Sequence, residues 1–77
     1  MESDRIKTNL TVDGKVFFVS TCYRKASCVP ETFYYESLAW NVINGTRDKI
    51  IGDVSGAIDY KTALENHFTL CDNLLKN

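Results

Sequence analysis

Three cysteines and the only histidine are the sulfur and nitrogen side chains of this chain that could bind zinc. His67 and Cys71 are separated by about one helical turn, so both would point to the same side of a helix. With Cys22 and Cys28 they would make a set of nitrogen and sulfur ligands suited to a tetrahedral zinc site. Cys22 and Cys28 are, however, further apart than the roughly two to four intervening residues that usually separate paired zinc ligands. A zinc site is therefore a secondary hypothesis, and we expect the protein to hold no cofactor.

The same residues offer little for catalysis. A cysteine nucleophile needs a thiolate beside a base in an accessible pocket, and His67 is the only histidine. No Gly-rich phosphate-binding loop and no pair of carboxylates suited to acid–base work stands out. We therefore predict that the protein is not an enzyme.

The C-terminal residues that include His67 and Cys71 are predicted to form an amphipathic helix over 60–75. Apolar side chains recur there every three or four positions, which is the helical period. Asp59 is the expected N-cap, because its carboxylate can accept hydrogen bonds from the free N–H groups of the first turn. His67 and Cys71 are thus expected to face a core. The full apolar stripe consists of Tyr60, Ala63, Leu64, His67, Phe68, Cys71, Leu74 and Leu75.

Two strands are predicted before this helix, over 6–12 and 16–24. The first alternates apolar and polar residues, and the second is rich in β-branched and aromatic residues. Asp13-Gly14 between them favours a two-residue turn in which both central residues have positive φ. The expected register pairs Val12 with Lys15, Leu10 with Phe17 and Thr8 with Val19.

A third strand is predicted over 32–43 and a short fourth strand over 48–52. Asn44-Gly45 between them is a second hairpin signal, and the glycines after the fourth strand predict a connection to the helix. The expected fold class is α+β, with a three- to four-stranded antiparallel sheet and one C-terminal helix packed on one face. The whole chain, 1–77, would form a single domain.

Charge and hydropathy exclude some function classes. The formal net charge is −1 at pH 7, whereas a dedicated duplex-DNA binder needs a surplus of lysine and arginine. No apolar run approaches the ~18 residues of a membrane span, and residues 1–5 lack the apolar stretch of a signal peptide. We therefore expect a cytoplasmic protein with no membrane partner.

The aromatic residues indicate an interaction surface. They make up 12% of the chain, and a single helix covers only one face of a sheet. The other face would be left apolar and aromatic, which is typical of a binding surface. We expect Ala39 on this second face. The predicted anchors are Val16, Phe18, Phe33 and Tyr35, with Lys7, Lys15 and Arg24 steering the partner.

Two other roles for the second face stay open. The segment 25–31 or the N-terminus could fold over it and make it part of the core. Alternatively, its aromatic rings could stack on the bases of single-stranded nucleic acid. The phosphates would then be bound by Lys7, Lys15, Arg24 and Lys25, although the net charge argues against this.

The third strand and the helix together resemble a loose group of small bacteriophage-encoded proteins. In that group a strand with a Tyr-Glu-Thr/Ser-Leu/Met-x-Trp/Phe pattern precedes a helix with an Ala-x4-His pattern, and the likeness spans roughly residues 16 to 75. The corresponding residues of this chain are Tyr35, Glu36, Ser37, Leu38 and Trp40, then Tyr60, Thr62, Ala63 (or Leu64) and His67, although three residues rather than four separate Ala63 from His67.

The resemblance implies a phage or prophage accessory protein that acts in the bacterial host cytosol. It supplies no catalytic residues, and the Cys22/Cys28 pair is not associated with the group. We therefore expect a non-enzymatic protein that binds a bacterial host or defence protein and inhibits or modulates it sterically. The alternative is a single-stranded nucleic-acid-binding module. Homodimerisation through the same face would be compatible with the first role.

Overall fold

A computed structural model describes residues 4–26, 28–29 and 31–76 of the chain. These residues form one antiparallel sheet with a single helix on one face. Neighbouring strands in the sheet follow chain order, and the helix contacts all four. The predicted α+β class with a C-terminal helix is confirmed. The elements are β1 (Asp4–Val12), β2 (Lys15–Lys25), β3 (Phe33–Ile43), β4 (Thr46–Ala57) and α1 (Tyr60–Lys76).

The fourth strand is much longer than the predicted 48–52. It continues through the glycine-containing residues that were expected to be a connection, and it ends at Ala57. Gly56 has a φ of +100° and lies where the β3–β4 register shifts between Tyr35 and Glu36. A glycine absorbs such an irregularity without steric cost, so β4 keeps pairing beyond it.

Both hairpin turns have the backbone that their sequences predict. The φ values are +51° and +80° at Asp13-Gly14, and +52° and +76° at Asn44-Gly45. Positive φ at both central residues defines the type I′ turn, whose twist matches that of paired strands. The predicted β1–β2 register is confirmed at Val12–Lys15, Leu10–Phe17 and Thr8–Val19.

Asp59 caps the helix as predicted. The backbone N–H of Thr62 donates to Asp59 Oδ1 at 2.7 Å, and the N–H of Ala63 donates to the Asp59 carbonyl oxygen at 3.1 Å. The hydrogen bond from Thr62 holds the pKa of the Asp59 carboxyl below its usual value, because it favours the ionised form. The cap therefore sets the first residue of α1.

The face of α1 that meets the sheet is rotated from the predicted stripe. Leu70 is buried although the stripe left it out, while Phe68 and Leu75 are 49% and 55% exposed. Gly52 permits this approach, since Leu70 Cδ2 lies 3.2 Å from the position that a Cβ at Gly52 would take. The buried helix residues are Ala63, His67, Leu70 and Cys71.

The pairing of β2 with β3 decides which side chains share a face. Val19 lies opposite Ala39 and Phe18 lies opposite Trp40. Because side chains alternate along a strand, Val19 and Ala39 lie under the helix and Phe18 and Trp40 lie on the opposite side. We call that second surface the open face. It is formed by Val16, Phe18, Leu38, Trp40, Val42 and Ile50.

The predicted grouping of the aromatic anchors is wrong. Phe33, Tyr35 and Ala39 lie on the helix-covered face, whereas Val16 and Phe18 lie on the open face. The strands β2 and β3 are joined by a longer loop, closed by a hydrogen bond from the Ala26 N–H to the Thr32 carbonyl oxygen. Such a loop does not set the register, and a slip of one residue exchanges the two faces.

Candidate functional site: the open sheet face

The open face exposes apolar side chains on the two central strands and on β4. Val16 and Ile50 are 39% and 51% exposed, and Phe18, Trp40 and Leu38 are half-buried. No helix or strand of the described residues packs on this side of the sheet. A contiguous apolar surface of this kind is typical of a protein-interaction site.

Arg47 lies over the aromatic centre of the open face. Its guanidinium carbon is 4.9 Å from the centroid of the Phe18 ring and 5.6 Å from that of Trp40. Both distances are within the range of cation–π attraction. The residue was missed at the sequence level, although the Asn44-Gly45 turn contains the signal, because it places Arg47 opposite Val42.

Trp40 carries an unsatisfied polar group at the same place. Its indole Nε1 is buried and has no hydrogen-bond partner among the described residues. A buried donor without an acceptor costs about 1–3 kcal/mol, and such groups are uncommon in folded proteins. The unpaired indole N–H therefore distinguishes this part of the open face from an ordinary solvated sheet surface.

The predicted steering cations are not grouped. Lys7 is exposed on β1, on the same side as the open face, since it pairs with Ser20. Arg24 forms an ion pair with Glu36 across β2 and β3. Lys15 follows the first turn on the helix-covered side, where it lines a cavity of about 260 Å³ together with Val12, Asp13, Phe17, Ile51 and Leu74.

Phe33 and Tyr35 belong to a second aromatic cluster, at the N-terminal end of α1. Tyr23 stacks on Phe33 at 5.3 Å between ring centroids and contacts Tyr35 at 4.7 Å. Tyr35 also meets Tyr60 edge-on at 6.0 Å, and the Arg5 guanidinium lies 5.5 Å from the Tyr23 centroid. These rings join the helix to the sheet, and they lie on the opposite side of the sheet from Phe18.

Beneath the helix lies a chain of hydrogen-bonded polar side chains around His67, which is 0% exposed. Its Nδ1 is 2.8 Å from Thr21 Oγ1, and its Nε2 is 2.8 Å from Thr8 Oγ1. Thr21 Oγ1 also lies 2.6 Å from Ser37 Oγ. Either neutral tautomer is satisfied, because the hydroxyl hydrogens can all point one way or the other along the chain.

This buried polar cluster favours uncharged groups. Burial lowers the pKa of His67 and raises that of the Cys71 thiol, to which Thr8 also hydrogen-bonds. Desolvation disfavours the imidazolium and the thiolate alike. A thiolate nucleophile would need the opposite environment, so the cluster is suited to joining helix and sheet.

The four residues of the zinc hypothesis do not come together. Cys22 lies on the side of the open face, where its Sγ is 3.6 Å from Ser20 Oγ. Cys28 is exposed in the loop between β2 and β3. His67 and Cys71 lie on the other side of the sheet, and the described residues contain no group of three metal-ligating side chains.

Comparison of the chain with protein-family models, with curated proteins and with solved structures found no match. The one helix of the described residues falls short of the length and apolarity that crossing a bilayer requires. The function is therefore inferred from the chemistry of the surfaces themselves.

Proposed function

We propose that this protein is a non-enzymatic binding protein that docks another protein on its open sheet face. The observation that carries the proposal is the apolar and aromatic surface on the uncovered side of the sheet, centred on Phe18 and Trp40 with Arg47 above them. Large aromatic residues and arginine supply most of the affinity of protein interfaces. The rigid sheet would present them with little loss of conformational entropy on binding.

The resemblance to small phage proteins suggests the setting. The partner would be a bacterial host or defence protein in the cytoplasm, and the protein would inhibit or modulate it by occupying a surface that the partner needs. Steric blockade requires no catalytic group, which agrees with the buried state of His67 and Cys71.

A protein partner is favoured over single-stranded nucleic acid by the charges on the open face. Strand binders combine aromatic rings with a row of cations along the backbone path. Here Arg24 is neutralised by Glu36, which leaves Arg47 and Lys7 as the cations that the pairing of the described strands places on this side.

The test is recovery of partners from a nuclease-treated bacterial lysate with the tagged full chain. The open-face variant is Val16→Gln/Ile50→Gln, which makes two exposed apolar positions polar. The matched control is Val29→Gln/Ile58→Gln, since both residues are exposed apolar side chains outside the open face. We expect specific proteins to be recovered by the wild type and the control and to be lost with the open-face variant.

The proposal is wrong if the open-face variant recovers the same proteins as the wild type. Material that is recovered only when the nuclease is left out would instead identify nucleic acid as the ligand. Size-exclusion chromatography separates the remaining case, because a wild-type dimer that becomes a monomer in the open-face variant would show that the occupant is a second copy of the chain.

A further inference from the structure

Arg47 is the group on the open face that identifies the chemistry of the partner. No carboxylate pairs with it among the described residues. Arg24, on the same side of the sheet, already has Glu36 as its counter-ion. Arg47 is thus a cation held against two rings and left without a counter-ion in the described part of the chain.

The hydrogen-bond donors of Arg47 are available, since no described residue accepts from them. The five N–H groups of a guanidinium lie in one plane as a rigid fork. That planar fork matches the two oxygens of a carboxylate. The rings therefore orient Arg47 without consuming the donors that would bind an anion.

A cavity of about 210 Å³ opens next to this guanidinium. Two polar residues, Asn9 and Arg47, line it together with Phe18, Val42 and Gly45. The combination fits a short side chain that ends in an acidic group.

We propose that the open face recognises an Asp or Glu side chain of its protein partner. The carboxylate would lie in the cavity beside Arg47 and Asn9, and an apolar neighbour on the partner would pack on Phe18 and Trp40. This inference rests on the proposed function and adds the charge that the partner must carry. It favours a carboxylate over a phosphate backbone, because a strand would need further unpaired cations along the face.

The experiment is selection of a displayed library of random 12-residue peptides on the immobilised full chain. The most enriched peptide is then synthesised, and its affinity is measured for the wild type and four variants. Arg47→Met and Asn9→Ala alter the cavity at exposed positions. Arg24→Met is the matched control, since it removes an arginine that is already paired with Glu36. Val16→Gln/Ile50→Gln makes two exposed apolar positions of the open face polar.

We expect enriched peptides to share an Asp or Glu beside an apolar residue. Arg47→Met should weaken binding about 10- to 100-fold, the range for a lost hydrogen bond to a charged group. Asn9→Ala should weaken binding less. Arg24→Met should leave the affinity within about 2-fold of the wild type, because Arg24 is already paired with Glu36.

Four results would overturn the inference. Peptides without an acidic residue that bind Arg47→Met as tightly as the wild type, and are lost with Val16→Gln/Ile50→Gln, would leave the proposed function standing alone. Peptides that bind Val16→Gln/Ile50→Gln like the wild type would argue against both. Failure to enrich any peptide would argue against an acidic protein partner. The same conclusion would follow if the immobilised protein retained a 12-nucleotide oligothymidylate more tightly than the enriched peptide and this retention depended on Arg47. In both cases the lysate experiment would decide the proposed function.

Discussion

Thr21→Val should destabilise the protein far more than the loss of one hydroxyl suggests. Thr21 is fully buried, and its Oγ1 hydrogen-bonds both Ser37 Oγ at 2.6 Å and His67 Nδ1 at 2.8 Å. Valine has nearly the same shape, so the substitution leaves two buried polar groups without this partner. Each such group costs about 1–3 kcal/mol, and the added methyl group returns about 0.8 kcal/mol.

The expected net loss is about 1–5 kcal/mol in the free energy of unfolding. A domain of this length has roughly 4–12 kcal/mol in total, so the loss is a large fraction of its stability. The melting temperature should fall by about 4 °C or more. Urea denaturation, followed by Trp40 fluorescence and by far-UV circular dichroism, measures the effect.

Two further variants identify the cause. Thr8→Val removes a hydrogen bond to the other ring nitrogen of His67, but Thr8 is only half-buried, so water can replace it and the cost should be about 1 kcal/mol. Thr21→Val combined with Ser37→Ala should cost less than the sum of the two single changes, because the unpaired serine hydroxyl is gone. A Thr21→Val protein within about 0.5 kcal/mol of the wild type, or no more affected than Thr8→Val, would refute the reasoning.

The remaining predictions concern pH, packing and thiol exposure. Burial lowers the pKa of His67 from 6.5, so the unfolded chain binds the proton at a higher pH than the folded protein does. The stability that neutral His67 contributes is complete above about pH 6.5 and is lost as the pH falls toward the folded-state pKa. A urea midpoint that is the same at about pH 7.5 and 5.5 would contradict this. Leu70→Ala should lower the free energy of unfolding, measured by urea denaturation, by about 2–4 kcal/mol, and Leu75→Ala should lower it by less than about 0.5 kcal/mol. Equal losses would mean that the helix packs a different face on the sheet. In native protein a thiol reagent should modify exposed Cys28 first and buried Cys71 only on unfolding, and mass spectrometry showing early modification of Cys71 would argue against the buried site.

Local signals in the sequence were sufficient for most of the secondary structure. Asp13-Gly14 and Asn44-Gly45 each adopt the predicted turn, because few residue pairs tolerate positive φ at two successive positions. The β1–β2 register followed directly, since a two-residue turn leaves only one way to pair its flanking strands. Asp59 likewise determined where the helix begins. Each of these features depends on residues that are close in sequence.

The two faces of the sheet were decided only by tertiary structure. The loop between β2 and β3 is too long to set a register, so the sequence alone did not determine whether Tyr35 or Trp40 would join Phe18 on the open face. The same pairing brings Ser37 beside Thr21, where the helix then places His67. Contacts between residues distant in sequence depend on how whole elements pack, and this is why the polar cluster and the aromatic site emerged only from the folded chain.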